Sequence, residues 1–147
     1  MKVLVLGGRY DNFSVGGVRK YLTSVVPFLA SRHEVFILVA KRFSERKLLR
    51  DFSQSTHNSR FRVKYVSSLN WRPIPYSWAF WLIFRKTLAT VNLYRKWQFD
   101  VIYSNEWVDG TVGRIIASLL RKFGRNVKHI HHPHGVVSFV TGVERFQ

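Results

Sequence analysis

The 147-residue sequence contains no cysteine, only one methionine and only eight acidic residues. Without cysteine, disulfides, thiolate catalysis and cysteine zinc sites are excluded. The N-terminus offers one lysine and a short apolar run that ends at Gly7, which is too little for a signal peptide, so we expect a cytoplasmic protein. The apolar run from Trp78 to Phe84 is too short to span a bilayer.

The scarcity of acidic residues leaves a net charge of +16, since 24 residues are lysine or arginine. Such a charge favours an anionic partner: nucleic acid, a phospholipid headgroup layer or a phosphorylated small molecule. The basic residues are spread along the chain, and each group of them is equally consistent with a solvated face. With 46% hydrophobic residues, the chain is expected to form one core, and therefore one domain over residues 1–147.

Five segments have the composition of strands, rich in branched and aromatic residues. They are residues 2–7, 34–40, 61–66, 99–104 and 127–131. The third alternates between apolar and polar residues, which favours a place near the sheet edge.

Two helices are predicted from apolar residues spaced three or four positions apart. The first covers residues 18–29 and contains Pro27, which predicts a kink or an early end. The second covers residues 112–123 and is ended by Gly124. Two further helices are expected, a long one from Tyr76 to Trp97 and a short basic one over residues 43–52.

Strands that alternate with helices in this way predict βαβ units and a parallel sheet covered on both faces. We therefore predict an α/β fold, a Rossmann-like doubly wound domain with strand order 3-2-1-4-5. In such sheets ligands bind at the carboxyl ends of the strands, where the strand order reverses. The loops after the first, fourth and fifth strands are the expected place for a site.

Glycines surround the junction of the first strand and the first helix, as Gly7-Gly8 and Gly16-Gly17. Glycine lets the backbone approach a ligand, and amides at a helix N-terminus bind anions, so a diphosphate could lie there. The alternative is that these glycines only form turns. Their spacing is not the dinucleotide fingerprint, and Lys41 stands where an acidic residue would be needed, which argues against NAD.

Polar residues follow the fourth strand, in the sequence from Ser104 to Asp109. Ser104, Asn105, Glu106 and Asp109 place hydrogen-bonding groups at the carboxyl edge, where sugar or polyol hydroxyls could be held. For Asp109 we favour a simpler role as the helix cap.

Four histidines lie in the sequence from His129 to Gly135. Strand alternation places His129 and His131 on one face and His132 on the other, so the four cannot converge on a metal. The usual zinc spacing is also missing, and we expect no metal site. His134, just past the strand, is the better candidate for a ligand contact.

Aromatic and basic residues interleave between Trp71 and Trp97. Rings at the headgroup boundary with cations beside them are typical of a segment that lies on anionic lipid. A core helix with a basic outer face is the alternative, and RNA stacking on the aromatics is a weaker one because no RNA-binding module signature is present. The residues expected to contact a membrane or another anion are Trp71, Arg72, Trp78, Trp81, Arg85 and Lys86.

The order of these motifs resembles a known family. Four motifs carry the resemblance: Gly16-Gly17 before an amphipathic helix, His33-Glu34-Val35 leading into the second strand, the sequence from Phe99 to Asn105, and the sequence from His131 to Gly135. Together they are similar to the N-terminal domain of retaining GT-B glycosyltransferases of the glycogen-synthase and mannosyltransferase type. The resemblance covers nearly the whole chain.

The resemblance implies transfer of a sugar from a nucleotide-diphosphate sugar to an acceptor hydroxyl, with retention and without a required metal or other cofactor. Gly16 and Gly17 would face the donor diphosphate, and His134 would be the catalytic residue near the transferred sugar. Asn105 and Glu106 would contribute to the acceptor pocket. Lipid-linked branches of the family imply a peripheral position on the inner face of the membrane.

The family's second Rossmann domain, which grips the nucleotide, is not part of this sequence. We therefore expect the chain to catalyse poorly without that domain or a partner chain that supplies it. Two alternatives to an enzyme stay open. The first is a basic nucleic-acid-binding module, which the net charge supports. The second is a non-catalytic Rossmann-like module, which the predicted fold supports.

Overall fold

The computed structural model describes residues 1–9, 17–41, 61–67 and 77–132. Within these ranges the chain forms five strands and three helices. In chain order they are β1 (Lys2–Arg9), α1 (Gly17–Arg32), β2 (Glu34–Lys41), β3 (Phe61–Ser67), α2 (Ser77–Trp97), β4 (Val101–Ser104), α3 (Trp107–Lys122) and β5 (Lys128–His131). The short basic helix expected over residues 43–52 lies outside the described residues.

The five strands form one parallel sheet in the order β3-β2-β1-β4-β5. This confirms the predicted Rossmann-like topology and the place of β3 at an edge. In register, Val3 of β1 pairs with Val35 on one side and with Val101 on the other. The strand order reverses between β1 and β4, so the crevice at their carboxyl ends is where this fold binds ligands.

The core lies on both faces of the sheet because successive side chains of β1 point in opposite directions. Val3 and Val5 face α1 and pack with Val26. Leu4 and Leu6 face α2 and α3 and pack in one cluster with residues that include Leu93, Val112 and Ile116. The apolar run of the first strand is continuous for this reason, as the sequence indicated.

Two of the predicted helix ends, at Pro27 and at Gly124, can be compared with the structure. The helix α1 continues past Pro27 to Arg32, so the early end allowed for there does not occur. After α3 the chain turns at Gly124, which has a φ of 71°. The Arg125 amide then donates to the Leu120 carbonyl at 2.9 Å, a hydrogen bond typical of a glycine-ended helix. The predicted stop at Gly124 is confirmed.

Candidate functional site

The corner between β4 and α3 carries the polar residues expected at the carboxyl edge. Because β4 ends at Ser104 and α3 begins at Trp107, Asn105 and Glu106 form the connection, which we call the β4 corner. Leu6 of β1 pairs with Ser104, so the corner lies beside the point where the strand order reverses. The tertiary structure thus places it where a doubly wound sheet binds its ligand.

The Asn105 side chain is fully buried, and neither its amide nitrogen nor its carbonyl oxygen has a hydrogen-bond partner among the described residues. A buried polar group left unpaired costs about 1–3 kcal/mol. A ligand hydroxyl can accept from the amide nitrogen and donate to the carbonyl oxygen, which would remove that cost. Since the side chain is covered, such a ligand reaches it only when the covering residues move.

Glu106 is the N-cap residue of α3, with extended backbone angles of φ −113° and ψ 161° and no side-chain capping hydrogen bond. Its carbonyl accepts the first helical hydrogen bond, from the Gly110 amide at 2.7 Å. The side chain is half-buried. The Glu106 side chain therefore does not cap the helix.

Ser104 connects the corner to β5 through two histidines. Its hydroxyl oxygen lies 2.9 Å from His129 Nε2 and 2.9 Å from His131 Nδ1. A hydroxyl has one hydrogen to donate, so with both imidazoles neutral one ring accepts that hydrogen and the other donates to the Ser104 oxygen. The tautomers of His129 and His131 are therefore coupled, and the predicted common face of these two histidines is confirmed.

Two glycines of α3 make room for these rings. Gly110 and Gly113 are three residues apart and so share one face of the helix. A Cβ at Gly110 would lie 2.6 Å from His131 Cε1, and one at Gly113 would lie 2.7 Å from His129 Cδ2. Real Cβ atoms do not come so close, so a side chain at either position would force the imidazole or the helix to shift.

Burial lowers the pKa of His129 below 6.5, and the nearby His131 and Arg114 lower it further. The neutral imidazole is thus the form that the fold favours. Among the residues that the structure describes, no group of three or more histidine and carboxylate side chains converges as a metal site. The two hydrogen bonds of Ser104 hold the ends of β4 and β5 together.

Lys86 and Asp109 correct two expectations from the sequence. Both side chains are fully buried, and the ammonium of Lys86 forms an ion pair with the carboxylate of Asp109. Lys86 therefore cannot contact a membrane surface or an external anion, and the prediction for it is wrong. Asp109 is not the cap either, since that place belongs to Glu106 and Asp109 lies in the first turn of α3.

The spacing on α2 carries a signal for the buried lysine. The inner face of this helix is formed by residues three or four positions apart, and Lys86 occupies one of them. An apolar stripe interrupted by a single lysine indicates a buried charge, and a buried charge needs a partner. The buried residues of this stripe are Ala79, Leu82, Lys86, Thr90 and Leu93.

The outer face of α2 exposes aromatic side chains, of which Phe80 is 73% and Phe84 55% exposed. Trp81 lies beside them, with its ring centroid 6.2 Å from that of Phe84 and 5.7 Å from the Arg85 guanidinium. Two of the predicted surface residues, Trp81 and Arg85, are thus brought together on an exposed face. Phe80 and Phe84 belong to the same face but were missed, since the prediction favoured tryptophan and cations.

Of the six other predicted site residues, two lie in described helices and four do not. Gly16, Trp71, Arg72 and His134 lie outside the described residues. Gly17 is the first residue of α1, and Trp78 lies in α2. In the described ranges of the chain, no helix is long and apolar enough to cross a membrane.

A cleft of about 570 Å³ opens at the amino edge of the sheet, opposite the β4 corner. Its lining includes Lys2, Glu34 and Asp100. These groups serve the fold: the Lys2 amide donates to the Asp100 carboxylate at 2.8 Å, and the Trp97 indole donates to Glu34 at 3.2 Å. The cleft lies away from the strand ends that bind ligands in this topology, so we do not assign the reaction to it.

The comparisons with known proteins agree with the fold. The model of a family described as Glycosyltransferase Family 4 matches residues 15–146. Among solved structures, a sucrose-phosphate synthase from Thermosynechococcus elongatus is similar, with a TM-score of 0.61 and 20% sequence identity over 94% of this chain and 34% of that one. The chain thus spans about a third of that enzyme's length. No curated protein sequence matches the chain.

Proposed function

Because the chain belongs to Glycosyltransferase Family 4, as an N-terminal domain of the GT-B type, we propose that it holds the acceptor in a retaining transfer from a nucleotide-diphosphate sugar. The observation that carries the proposal is the buried amide of Asn105 at the carboxyl edge of β4, which has no hydrogen-bond partner among the described residues. An amide presents a donor and an acceptor side by side, which suits a sugar hydroxyl.

In the proposed reaction, the bond between the sugar's anomeric carbon and the diphosphate breaks, and the acceptor oxygen forms a bond to that carbon on the same face. The proton of the acceptor hydroxyl passes to the departing diphosphate. Asn105 and Glu106 orient the acceptor. We assign Gly17, the first residue of α1, and the preceding Gly16 to the donor diphosphate, and His134 to the transferred sugar. No metal is required. A second domain or a partner chain supplies the remaining donor contacts, so we expect the chain alone to turn over slowly.

The test is a transfer assay with a panel of UDP-, GDP- and ADP-sugars and of sugar and lipid acceptors, on this chain and on the product of its complete reading frame. Release of nucleoside diphosphate that depends on one acceptor is expected from the complete product. No release from it with any donor would overturn the proposal.

Asn105→Leu tests the site more directly. Leucine has nearly the same shape and removes a buried polar group that has no partner, so stability should be unchanged or raised. We expect kcat/KM for the acceptor to fall about tenfold, the equivalent of one hydrogen bond. Asn126→Leu is the matched control, because Asn126 is exposed and lies after α3. Equal activity of the two variants would contradict the role of Asn105.

A membrane surface is the second part of the proposal, and the outer face of α2 supports it. Phe80, Trp81 and Phe84 expose apolar rings beside Arg85, on a chain of net charge +16. Aromatic rings enter the headgroup boundary while cations attract anionic lipid. We therefore propose that the acceptor is met at an anionic membrane surface.

Co-sedimentation with vesicles of phosphatidylcholine, with and without phosphatidylglycerol, tests this second part at moderate salt. The wild type should bind the anionic vesicles, and Phe80→Ser with Phe84→Ser should lose most of the binding. Phe28→Ser is the matched control: Phe28 is 60% exposed on α1, with Arg32 5.1 Å from its ring, but it lies on the other side of the sheet. No preference for anionic vesicles would contradict the membrane role, and tighter binding to an RNA oligomer would favour the nucleic-acid alternative.

A further inference from the structure

The ion pair between Lys86 and Asp109 joins the middle of α2 to the first turn of α3, and both side chains are fully buried. Burial of two charges costs several kcal/mol per ion, which their attraction repays only in part. Well-packed apolar residues of similar size at such positions are often as stable or more so. A contribution to stability therefore explains this ion pair poorly. Its position between α2 and α3 suggests a second role, in positioning.

The apolar contacts around the pair are small. A separate cluster at this end of the sheet contains Ala40 of β2, Ala79 and Leu82 of α2, and Val108 of α3. Among the described residues, two of its four buried members are alanines, which bury little area, and the half-buried Ile83 of α2 packs against them. Apolar contact is non-directional, whereas an ion pair is directional and defines the position of the first turn of α3 along α2 more closely.

The β4 corner immediately precedes this first turn. Glu106 lacks a side-chain capping bond, so the start of α3 is held by its packing rather than by its cap. Asp109 lies three residues after Glu106, and the Gly110 amide donates to the Glu106 carbonyl at 2.7 Å. A displacement of Asp109 is therefore transmitted along one helical turn to Glu106 and Asn105.

We infer that Lys86 is a positioning residue for the acceptor site: through its ion pair with Asp109 it fixes the first turn of α3 and, with it, Asn105 and Glu106. This role of Lys86 rests on the proposed function, in which Asn105 and Glu106 bind the acceptor. The position of the β4 corner can be measured whether or not an acceptor binds there. Lys86 itself does not touch the substrate.

The decisive variant replaces the pair by apolar residues of similar size, Lys86→Met together with Asp109→Leu. Each single variant leaves one buried charge without its ion-pair partner and should lower the unfolding midpoint by about 10 °C or more. The double variant should unfold at or near the wild-type temperature. It thereby separates the stability of the domain from the position of the corner.

Two measurements report the position of the β4 corner in the double variant. Hydrogen exchange of the Gly110 amide, which donates to the Glu106 carbonyl, should become about tenfold faster because the first turn is no longer pinned. In the complete enzyme, KM for the acceptor should rise about tenfold while KM for the nucleotide sugar is unchanged. A purely structural role would move neither readout once the unfolding midpoint is restored.

Two further variants complete the design. Lys86→Arg retains the ion pair and should keep Gly110 exchange and acceptor KM close to wild type, even if the larger side chain lowers the midpoint. Lys122→Met removes an exposed charge from the last turn of α3 and should change nothing.

A double variant with wild-type exchange at Gly110, or with faster exchange but unchanged acceptor KM, would overturn the inference. If the double variant does not fold, Lys86→Arg decides: a raised acceptor KM despite the retained pair would also overturn it. If the wild-type enzyme transfers no sugar at all, the proposed function fails, and Gly110 exchange still tests whether the pair positions the corner.

Discussion

Gly113 of α3 lies directly against the imidazole of His129, so that a Cβ at position 113 would be 2.7 Å from the ring's Cδ2. The same ring is hydrogen-bonded to Ser104 at the end of β4. Gly113, like Gly110, thus leaves room for an imidazole between α3 and β5.

Gly113→Ala should therefore destabilise the domain, although alanine is the better helix former by about 1 kcal/mol. The added methyl group forces the His129 ring or the helix to shift, at a cost of about 1–3 kcal/mol. Urea denaturation measures the difference. Ser118→Ala, at an exposed position of the same helix, should change stability by less than about 0.5 kcal/mol. A Gly113→Ala variant more stable than wild type would contradict the packing described.

Ser104→Ala should lower the free energy of unfolding by about 1–3 kcal/mol, because it removes the hydroxyl that His129 and His131 share. Ser31→Ala is the control. The Ser31 hydroxyl also forms a short hydrogen bond, 2.7 Å to the Phe28 carbonyl, but it is exposed, and water can replace it. Equal losses in the two variants would show that burial of the Ser104 cluster contributes nothing.

Stability should fall as the pH is lowered through the range below 6.5. The pKa of His129 is lowered in the fold, first by burial and then by His131 and Arg114. The unfolded chain therefore binds a proton at a higher pH than the folded chain does, so the stabilisation is complete above 6.5 and is lost as the pH falls through the folded pKa. Urea titrations at several pH values would show this slope.

His129→Asn should flatten that slope, because it removes the imidazole whose pKa the fold lowers. If the slope survives in His129→Asn, the proton uptake belongs to another group.

Gly124→Ala should destabilise the domain by about 1–2 kcal/mol, since the residue has a φ of 71° and alanine is strained in that region. Nothing lies within 4 Å of a Cβ at this position, so the cost comes from the backbone alone. Gly124→Asn should therefore lose less, because asparagine tolerates the left-handed region better. Thermal unfolding of the two variants compares them, and equal losses would point to a steric cause instead.

The strands and helices were predictable because each depends on neighbours in the sequence. The continuous apolar run of β1 reflects burial on both faces, and the spacing of Val112, Ile116 and Leu120 reflects one buried face of α3. Alternation also predicted that His129 and His131 share a face. The strand order was predicted from the alternation of strands and helices, which indicates right-handed βαβ units, and it is confirmed.

The partners of polar side chains were not predictable in the same way. Lys86 and Asp109 are 23 residues apart, and their pairing depends on the distance and angle at which α2 meets α3. Lys86 was therefore assigned to the surface because of its cationic neighbours, although it lies on the inner face. Likewise nothing in the local sequence shows that Ser104 reaches both histidines, or that glycines in α3 are what allow it.

Periodicity and composition were thus enough to establish the α/β class and the approximate bounds of most elements. Hydrophobic burial can be predicted from the sequence because it is non-directional and repeats along the chain with the period of the helix or strand. Hydrogen bonds and ion pairs are directional and act over a few ångströms. Which of them form, at the β4 corner and between α2 and α3, was therefore decided by how distant segments pack.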